Sequence, residues 1–242
     1  MKNSCIFITF ISTFIFYSCS KENNVISDEI EQPVNNEVQA EIGEYAPFYL
    51  NSFWEYKYAV LHIDDVVIPG DTTTRVDSSF YFRRYEVMAD TLIYEKPHHV
   101  VRVDHFSDAN FQTSSSGNNA YYRFENNAYY VNNQKYLDMN LAVGESWNTD
   151  TTASEYPGGI IQNFMQFTIH DKNASIVVNN ESYNNVVIVS SCNYAKLEGQ
   201  DRFDCDYAKY NYYAKGVGLV HDRLQVPFID HATDLLNYQI ED

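Results

Sequence analysis

Positive charge is scarce in this sequence. Its 242 residues hold 16 Lys and Arg against 33 Asp and Glu, a formal net charge of -17. Nucleic-acid recognition needs a basic face for phosphates, so no nucleic-acid partner is expected. Cysteine is also sparse, and four residues cannot build a disulfide scaffold. Glycine numbers 9 and proline 6, without a collagen-like or low-complexity bias. A Gly-x-Ser-x-Gly elbow, a His-Glu-x-x-His helix and a P-loop are missing. What abounds is aromatic: 21 Tyr and 15 Phe sit in a chain that is 45% apolar, too apolar to be disordered.

The first nineteen residues read as an address. Lys2 supplies a short positive region. The apolar stretch from Ile6 to Phe16 has the length of a signal-peptide core and falls short of the ~20 residues a spanning helix needs. No later run is long and apolar enough to span. Phe16-Tyr17-Ser18-Cys19-Ser20 then resembles the relaxed lipobox of Bacteroidota lipoproteins, with a large Tyr17 where most lipoboxes carry a small residue. The resemblance implies that residues 1–18 are removed as a signal peptide and that Cys19 carries a lipid. The chain would then meet the membrane through that lipid, on the periplasmic or surface side of a bacterial outer membrane. The alternative is an ordinary signal peptide with Cys19 as a bystander.

Residues 19–44 read as the lipidated cysteine and an acidic tether. After Cys19, one basic residue, Lys21, faces seven acids, and no aromatic occurs before Tyr45. Such composition cannot form a core. Ile26, Ile30, Val34, Val38 and Ile42 recur every four residues, yet Pro33 interrupts any helix they would make. A flexible chain of this length spans ~25–30 Å root-mean-square. Acids soon after the cysteine resemble a surface-export signal, which Lys21 and two Asn dilute.

Residues 45–242 read as a single β-rich domain. Period-2 alternation dominates, as in Trp54-Glu55-Tyr56-Lys57-Tyr58, where aromatics and charges take opposite faces. Tyr121 to Phe124 and Tyr129 to Val131 flank a hairpin turn at Asn126-Asn127. A second turn is expected around Asp171-Lys172-Asn173. Asn185 to Val189 reads as a central strand buried on both faces. Ser114 to Asn119 and the Asp64-Asp65 stretch before Pro69-Gly70 read as loops. No helix of ten residues is expected after Tyr45, though single helical turns near Asp138 to Asn140 or Ala232 to Asp234 stay open.

Cys5 lies in the removed segment, which leaves Cys192 and Cys205 as a pair in an oxidising compartment, where a disulfide is expected. If the two face each other in a hairpin, Tyr194 faces Phe203, Lys196 faces Asp201, and the turn falls on Glu198-Gly199. An aromatic pair and an opposite-charge pair then share one register. Closing such a loop contributes ~3 kcal/mol in the chain-entropy model. The alternative is two separate buried thiols. Lys215-Gly216 reads as a further tight turn.

Four short elements carry a second resemblance: Leu50, Trp54 and Tyr56; Val143-Gly144-Glu145-Ser146-Trp147; Tyr183-Asn184-Asn185-Val186; and Gly216-Val217-Gly218-Leu219-Val220. Together they resemble a group of uncharacterised Bacteroidota lipoproteins over roughly residues 45–240. Asn51-Ser52 departs from the pattern, which usually has Gly before the Trp. The resemblance implies an all-β fold, a strongly curved antiparallel sheet or open β-barrel built from hairpins, with few or no helices. It implies no activity.

Candidate chemistry is thin. His98, His99 and His105 read as exposed strand-end residues rather than ligands, since His99 and His105 stand ~20 Å apart along a strand. Asp201, Asp204 and Asp206 read as a solvated acidic turn without the calcium-loop pattern. No metal and no cofactor is expected. Tyrosine is the remaining clue. Tyr207, Tyr210, Tyr212 and Tyr213 cluster on one hairpin and could form an aromatic binding surface for a glycan or an apolar small molecule. The bland alternative is that Tyr suits half-buried strands. The overall expectation is a lipid-anchored envelope lipoprotein with a non-catalytic β domain in a binding or scaffolding role. Its rivals are a carrier of an apolar ligand in an open barrel and an envelope glycan or peptide hydrolase.

Overall fold

Alternation of Tyr, Phe and Val with polar residues produces strands throughout. The computed structural model describes residues 40, 42–68, 71–112, 114–156, 159–199, 204–226 and 229–241. The lipobox, Cys19 and most of the expected tether lie outside the described residues. The strands are β1 (Phe53–Ile68), β2 (Asp71–Ile93), β3 (Lys96–Phe106), β4 (Ser114–Glu125), β5 (Ala128–Val131), β6 (Gln134–Asp138) and β7 (Ser146–Asn148). They continue as β8 (Thr152–Tyr156), β9 (Gly159–Val178), β10 (Glu181–Leu197), β11 (Asp204–Ala214), β12 (Gly218–Val226) and β13 (Ile229–Gln239). No helix occurs among the described residues.

All thirteen strands form one antiparallel sheet, in the order β6-β5-β4-β3-β2-β1-β13-β12-β11-β10-β9-β7, with β8 also on β9. Most neighbours are successive hairpin strands. The long-range join is β1 with β13, where Trp54 faces Tyr238 and Tyr58 faces Thr233. The sheet is strongly curved and is not closed into a barrel. Side chains bridge its two ends instead. Trp147 Nε1 donates to the Lys135 carbonyl at 3.2 Å, Lys172 Nζ donates to the Met139 carbonyl at 2.8 Å, and the Tyr136 and Phe167 rings lie 5.5 Å apart.

The concave face carries the core. Trp54, Tyr56, Val87, Val101, Phe167, Ile169, Val187, Val189 and Tyr213 are buried there. The buried polar tips of Trp54 and Tyr56 are satisfied, as buried donors must be. Trp54 Nε1 donates to the Val217 carbonyl at 2.7 Å, and the Tyr56 hydroxyl donates to the Leu219 carbonyl at 2.8 Å. Val186, Val187 and Val189 are all fully buried, as expected of the most apolar run. Register shifts on β10 between Tyr183 and Val189 let two successive valines go inward, which strict alternation forbids.

An N-terminal strap closes one end of the concave face. Phe48 packs 5.3 Å from Trp54, 4.9 Å from Tyr122 and 5.7 Å from both His99 and Tyr129. Packing starts before Tyr45. Ala40 is buried, its N–H donates to Asp90 Oδ2 at 2.9 Å, and the Glu44 carbonyl accepts the Gly216 N–H at 2.6 Å. Gly43 lies so close under the Phe124 ring that any Cβ there would overlap it.

Asparagine does much of the turn work that glycine does elsewhere. Asn126-Asn127, Asn132-Asn133 and Asn179-Asn180 each put two residues at positive φ, between 47° and 68°. Double positive φ is the signature of the type I′ turn, whose twist matches the flanking strands. Asn51 also takes a positive φ of 65°. Asn tolerates this region better than other side chains.

Several local expectations are corrected. The hairpin between β9 and β10 turns at Asn179-Asn180, not at Asp171 to Asn173. The latter lies inside β9, where Asp171 Oδ1 accepts the Asn173 N–H and the register to β10 slips. Ser114 to Asn119 is strand β4, held by pairing with β3, and Asp64-Asp65 lies within β1, paired to β2. Ala232 to Asp234 is strand β13. The Cys192–Cys205 disulfide is present, with Cα atoms 6.1 Å apart. Its register differs from expectation: Cys192 faces Ala208 and Tyr194 faces Cys205, because a bulge intervenes. Tyr194 therefore stacks on Phe164, 5.3 Å away, and Phe203 and Asp201 lie outside the described residues.

Candidate functional site

The four tyrosines expected to form one surface are split by the pleat of β11. Tyr213 points into the core and is buried. Tyr210 and Tyr212 sit on the opposite, outer face, and Tyr207 stands exposed near the disulfide. The expected cluster is therefore corrected to Tyr210 and Tyr212. Residues two apart share a face, so Tyr213 could not join them.

Register brings other side chains to that outer face. Tyr210 faces Arg223 and Tyr212 faces His221 across β11 and β12. His221 faces Asp234, and Arg223 faces Ala232 across β12 and β13. The contacts follow. The Tyr212 and His221 rings lie 5.1 Å apart, and His221 Nδ1 donates to Asp234 Oδ1 at 2.7 Å. Arg223 forks onto Asp230, with Nε to Oδ1 at 3.2 Å and Nη2 to Oδ2 at 2.6 Å. Asp230 raises the guanidinium pKa further, so Arg223 is charged at every ordinary pH. Tyr210 packs 5.3 Å from the His170 ring, whose Nε2 shares a 2.8 Å hydrogen bond with Ser190 Oγ.

Between these groups lies a shallow depression of about 230 Å³ lined by Ala59, Leu61, His221, Arg223, Asp230 and Ala232. Two alanines make the floor low. Arg223 and Asp230 offer donors and acceptors, and the His221 ring, backed by Tyr212, borders the depression as well. Such a mixture suits a polar, ring-shaped ligand. Among the described residues no hydroxyl or thiol hydrogen-bonds His221, and no carboxylate hydrogen-bonds His170.

The histidines of β3 are not exposed, contrary to expectation. His98 and His99 are each 2% exposed. His98 Nδ1 donates to the Lys96 carbonyl at 2.8 Å, and His99 Nδ1 donates to Asp90 Oδ1 at 2.7 Å. Among the described residues no group of three His, Cys, Asp or Glu could hold a metal ion. Asp201 lies outside the described residues, and Asp204 and Asp206 open β11.

These buried groups set an expected pH dependence. Burial, the largest cause, lowers the pKa of His98 and of His105; nearby Arg123 and Arg83 respectively add to it. Asp90 is also lowered: burial opposes this, but hydrogen bonds from His99 and the Ala40 N–H outweigh it. All three bind protons more readily unfolded than folded. Their contribution is complete above the unfolded pKa and lost as pH falls toward the folded one. Thermal unfolding should therefore show Tm falling below about pH 6.5 for the histidines and again below about pH 3.9 for Asp90. A His98→Gln variant should lose part of the first slope, and a flat profile from about pH 7.5 to 5 would contradict the assignment.

No family model and no curated protein matches this sequence. Two solved structures resemble it. One, from Parabacteroides distasonis, is designated a lipoprotein; it is 10% identical, covers 82% of this chain and 100% of its own, and has a TM-score of 0.46. The other, from Bacteroides fragilis, is designated an exported protein with a YmcC-like fold; it is 9% identical, covers 83% and 100%, and has a TM-score of 0.42. Both are proteins of Bacteroidota.

Proposed function

We propose that this protein is a lipid-anchored lipoprotein of the bacterial envelope whose β domain binds an envelope glycan, without catalysis, on its outer face. The observation that carries this reading is the division of labour between the two faces. Trp54, Tyr56, Phe48 and Tyr213 fill the middle of the concave side with the protein's own rings. Tyr210 and Tyr212 meanwhile stand on the outer face, next across the sheet to Arg223 and His221, which line the depression. A carrier of an apolar ligand would need the concave side open, so that rival loses its support. The anchor rests on the lipobox around Cys19, and the acidic balance of the chain would hold the domain off anionic headgroups.

The test is glycan binding by the chain from residue 19 carrying Cys19→Ala, using fragments of envelope polysaccharide and peptidoglycan as probes. Wild type should bind saturably. Tyr210→Ala with Tyr212→Ala should weaken binding at least ~10-fold, equivalent to ~1.4 kcal/mol. Tm should change little, because neither ring is in the core. Unchanged affinity in that double variant, or no glycan bound by wild type, would overturn the reading.

A further inference from the structure

Among the described residues, the concave face holds a cation that no carboxylate balances. Of the five arginines with described side chains, four have acid partners: Arg84 with Glu55, Arg102 with Glu86 and Asp104, Arg123 with Glu125, and Arg223 with Asp230. Arg83 pairs with no carboxylate among the described residues, although the chain as a whole has twice as many acids as bases. It is half-buried. A guanidinium withdrawn from water without a counter-ion is costly, so something in its setting must compensate.

The setting is a rigid aromatic frame. Register puts Arg83 opposite Tyr56 on β1 and opposite His105 on β3, on the concave side. Its guanidinium stands 4.5 Å from the Tyr58 ring centre and 5.3 Å from that of Tyr81, and those two rings stack 4.8 Å apart. Nε donates to His105 Nδ1 at 3.2 Å. Tyr85, whose hydroxyl lies 3.0 Å from that of Tyr58, hydrogen-bonds the guanidinium as well. Ring contact offsets part of the desolvation. It supplies no negative charge. Asp222 also reaches the concave face, facing Thr233 in the row that continues to Tyr58, but Lys209 already engages it at 2.8 Å.

We propose that Arg83 is the centre of an oxyanion-binding site on the concave face, taking the carboxylate or phosphate group of a small ligand. A guanidinium presents five donors in a planar fork that matches such groups. Here Nε is committed to His105, a further donor meets Tyr85, and the plane is fixed by two rings. The remaining donors are thus held ready rather than recruited, which lowers the ordering cost of binding. Tyrosine hydroxyls beside the fork can turn to donate to the same anion. The site lies on the face opposite Tyr210 and Arg223, so it stands or falls independently of the glycan surface.

The experiment is titration of the chain from residue 19, carrying Cys19→Ala, with inorganic phosphate and with acetate. Calorimetry and Tm are read at a constant ionic strength of about 0.15 M, which suppresses diffuse attraction. Wild type should bind one anion saturably and gain Tm with it. Arg83→Gln should lose at least ~10-fold in affinity. Arg83→Lys keeps the charge without the fork and should fall between; it also serves if Arg83→Gln does not fold. Arg223→Gln, on the outer face, should bind as wild type does. Failure of wild type to bind either anion, equal binding by both Arg83 variants, or loss of binding in Arg223→Gln would each overturn the proposal.

Discussion

Replacing Trp54 with Ala should cost about 3–5 kcal/mol of stability, as large-to-small changes in a packed core do. Trp54 is 2% exposed, and its indole meets Phe48 edge-on at 5.3 Å. The substitution removes this packing and leaves the Val217 carbonyl without the donor that reaches it at 2.7 Å. An orphaned buried acceptor adds about 1–3 kcal/mol of desolvation cost to the cavity, unless water enters. Domains of this kind hold only about 5–15 kcal/mol in total, so a large share would go. Denaturant unfolding should show the midpoint shifted far down with little change in slope. Tyr207→Ala, on the surface, should stay within about 0.5 kcal/mol and serves as the control.

Phe48→Ala should be comparably severe, at about 3–5 kcal/mol, and should act differently. Trp54 belongs to the sheet, whereas Phe48 belongs to the strap that covers it. Phe48 touches Trp54, His99, Tyr122 and Tyr129 at once, so its removal unpins the strap from four rings. What then holds the strap is the smaller burial of Ala40, Tyr45 and Ala46, the Ala40 and Glu44 backbone bonds and the exposed Lys215–Glu44 pair. Surface pairs of that kind contribute about 0–1 kcal/mol. Limited proteolysis should therefore cut Phe48→Ala between residues 40 and 49 under conditions where the sheet stays intact. Cleavage at the same rate in wild type would contradict the strap's role.

The face alternation of β1 was legible in the sequence, because Trp54, Tyr56 and Tyr58 alternate with Glu55 and Lys57. So was the turn at Asn126-Asn127, where two Asn sit between aromatic runs. The turn at Asn179-Asn180 carried the same dipeptide signal, but Asp171-Lys172-Asn173 offered a denser polar cluster. That cluster makes a local side-chain to backbone bond inside a long strand rather than a reversal. The Asn-Asn signal is itself ambiguous, since Asn118-Asn119 lies inside β4. The cysteine pair was legible as chemistry but not as register, because a bulge leaves no mark in residue type. Ser114 to Asn119 misled for a related reason: its polar composition suits a loop, yet neighbouring β3 holds it extended.

The candidate site was half legible. Tyr210 and Tyr212 could be named, but their partners His221, Arg223, Asp230 and Asp234 arrive from β12 and β13. Parity along β11 could have separated Tyr213 from them, since it lies one residue from Tyr212. Arg83 was invisible as a site. What distinguishes it is the lack of an acid partner across strands, and pairing across strands cannot be read from one segment.

The central claim is that the concave side around Trp54 is filled and dry, with the strap in place. The most direct measurement is hydrogen exchange at the Trp54 indole N–H, followed by nitrogen-15 spectroscopy. Trp147, half-buried at the bridged ends of the sheet, provides the internal comparison. The account predicts that the Trp54 proton exchanges only through global unfolding, orders of magnitude more slowly than that of Trp147. Exchange of the Trp54 proton at the rate of an open indole would mean that water reaches the concave side, and would contradict the account.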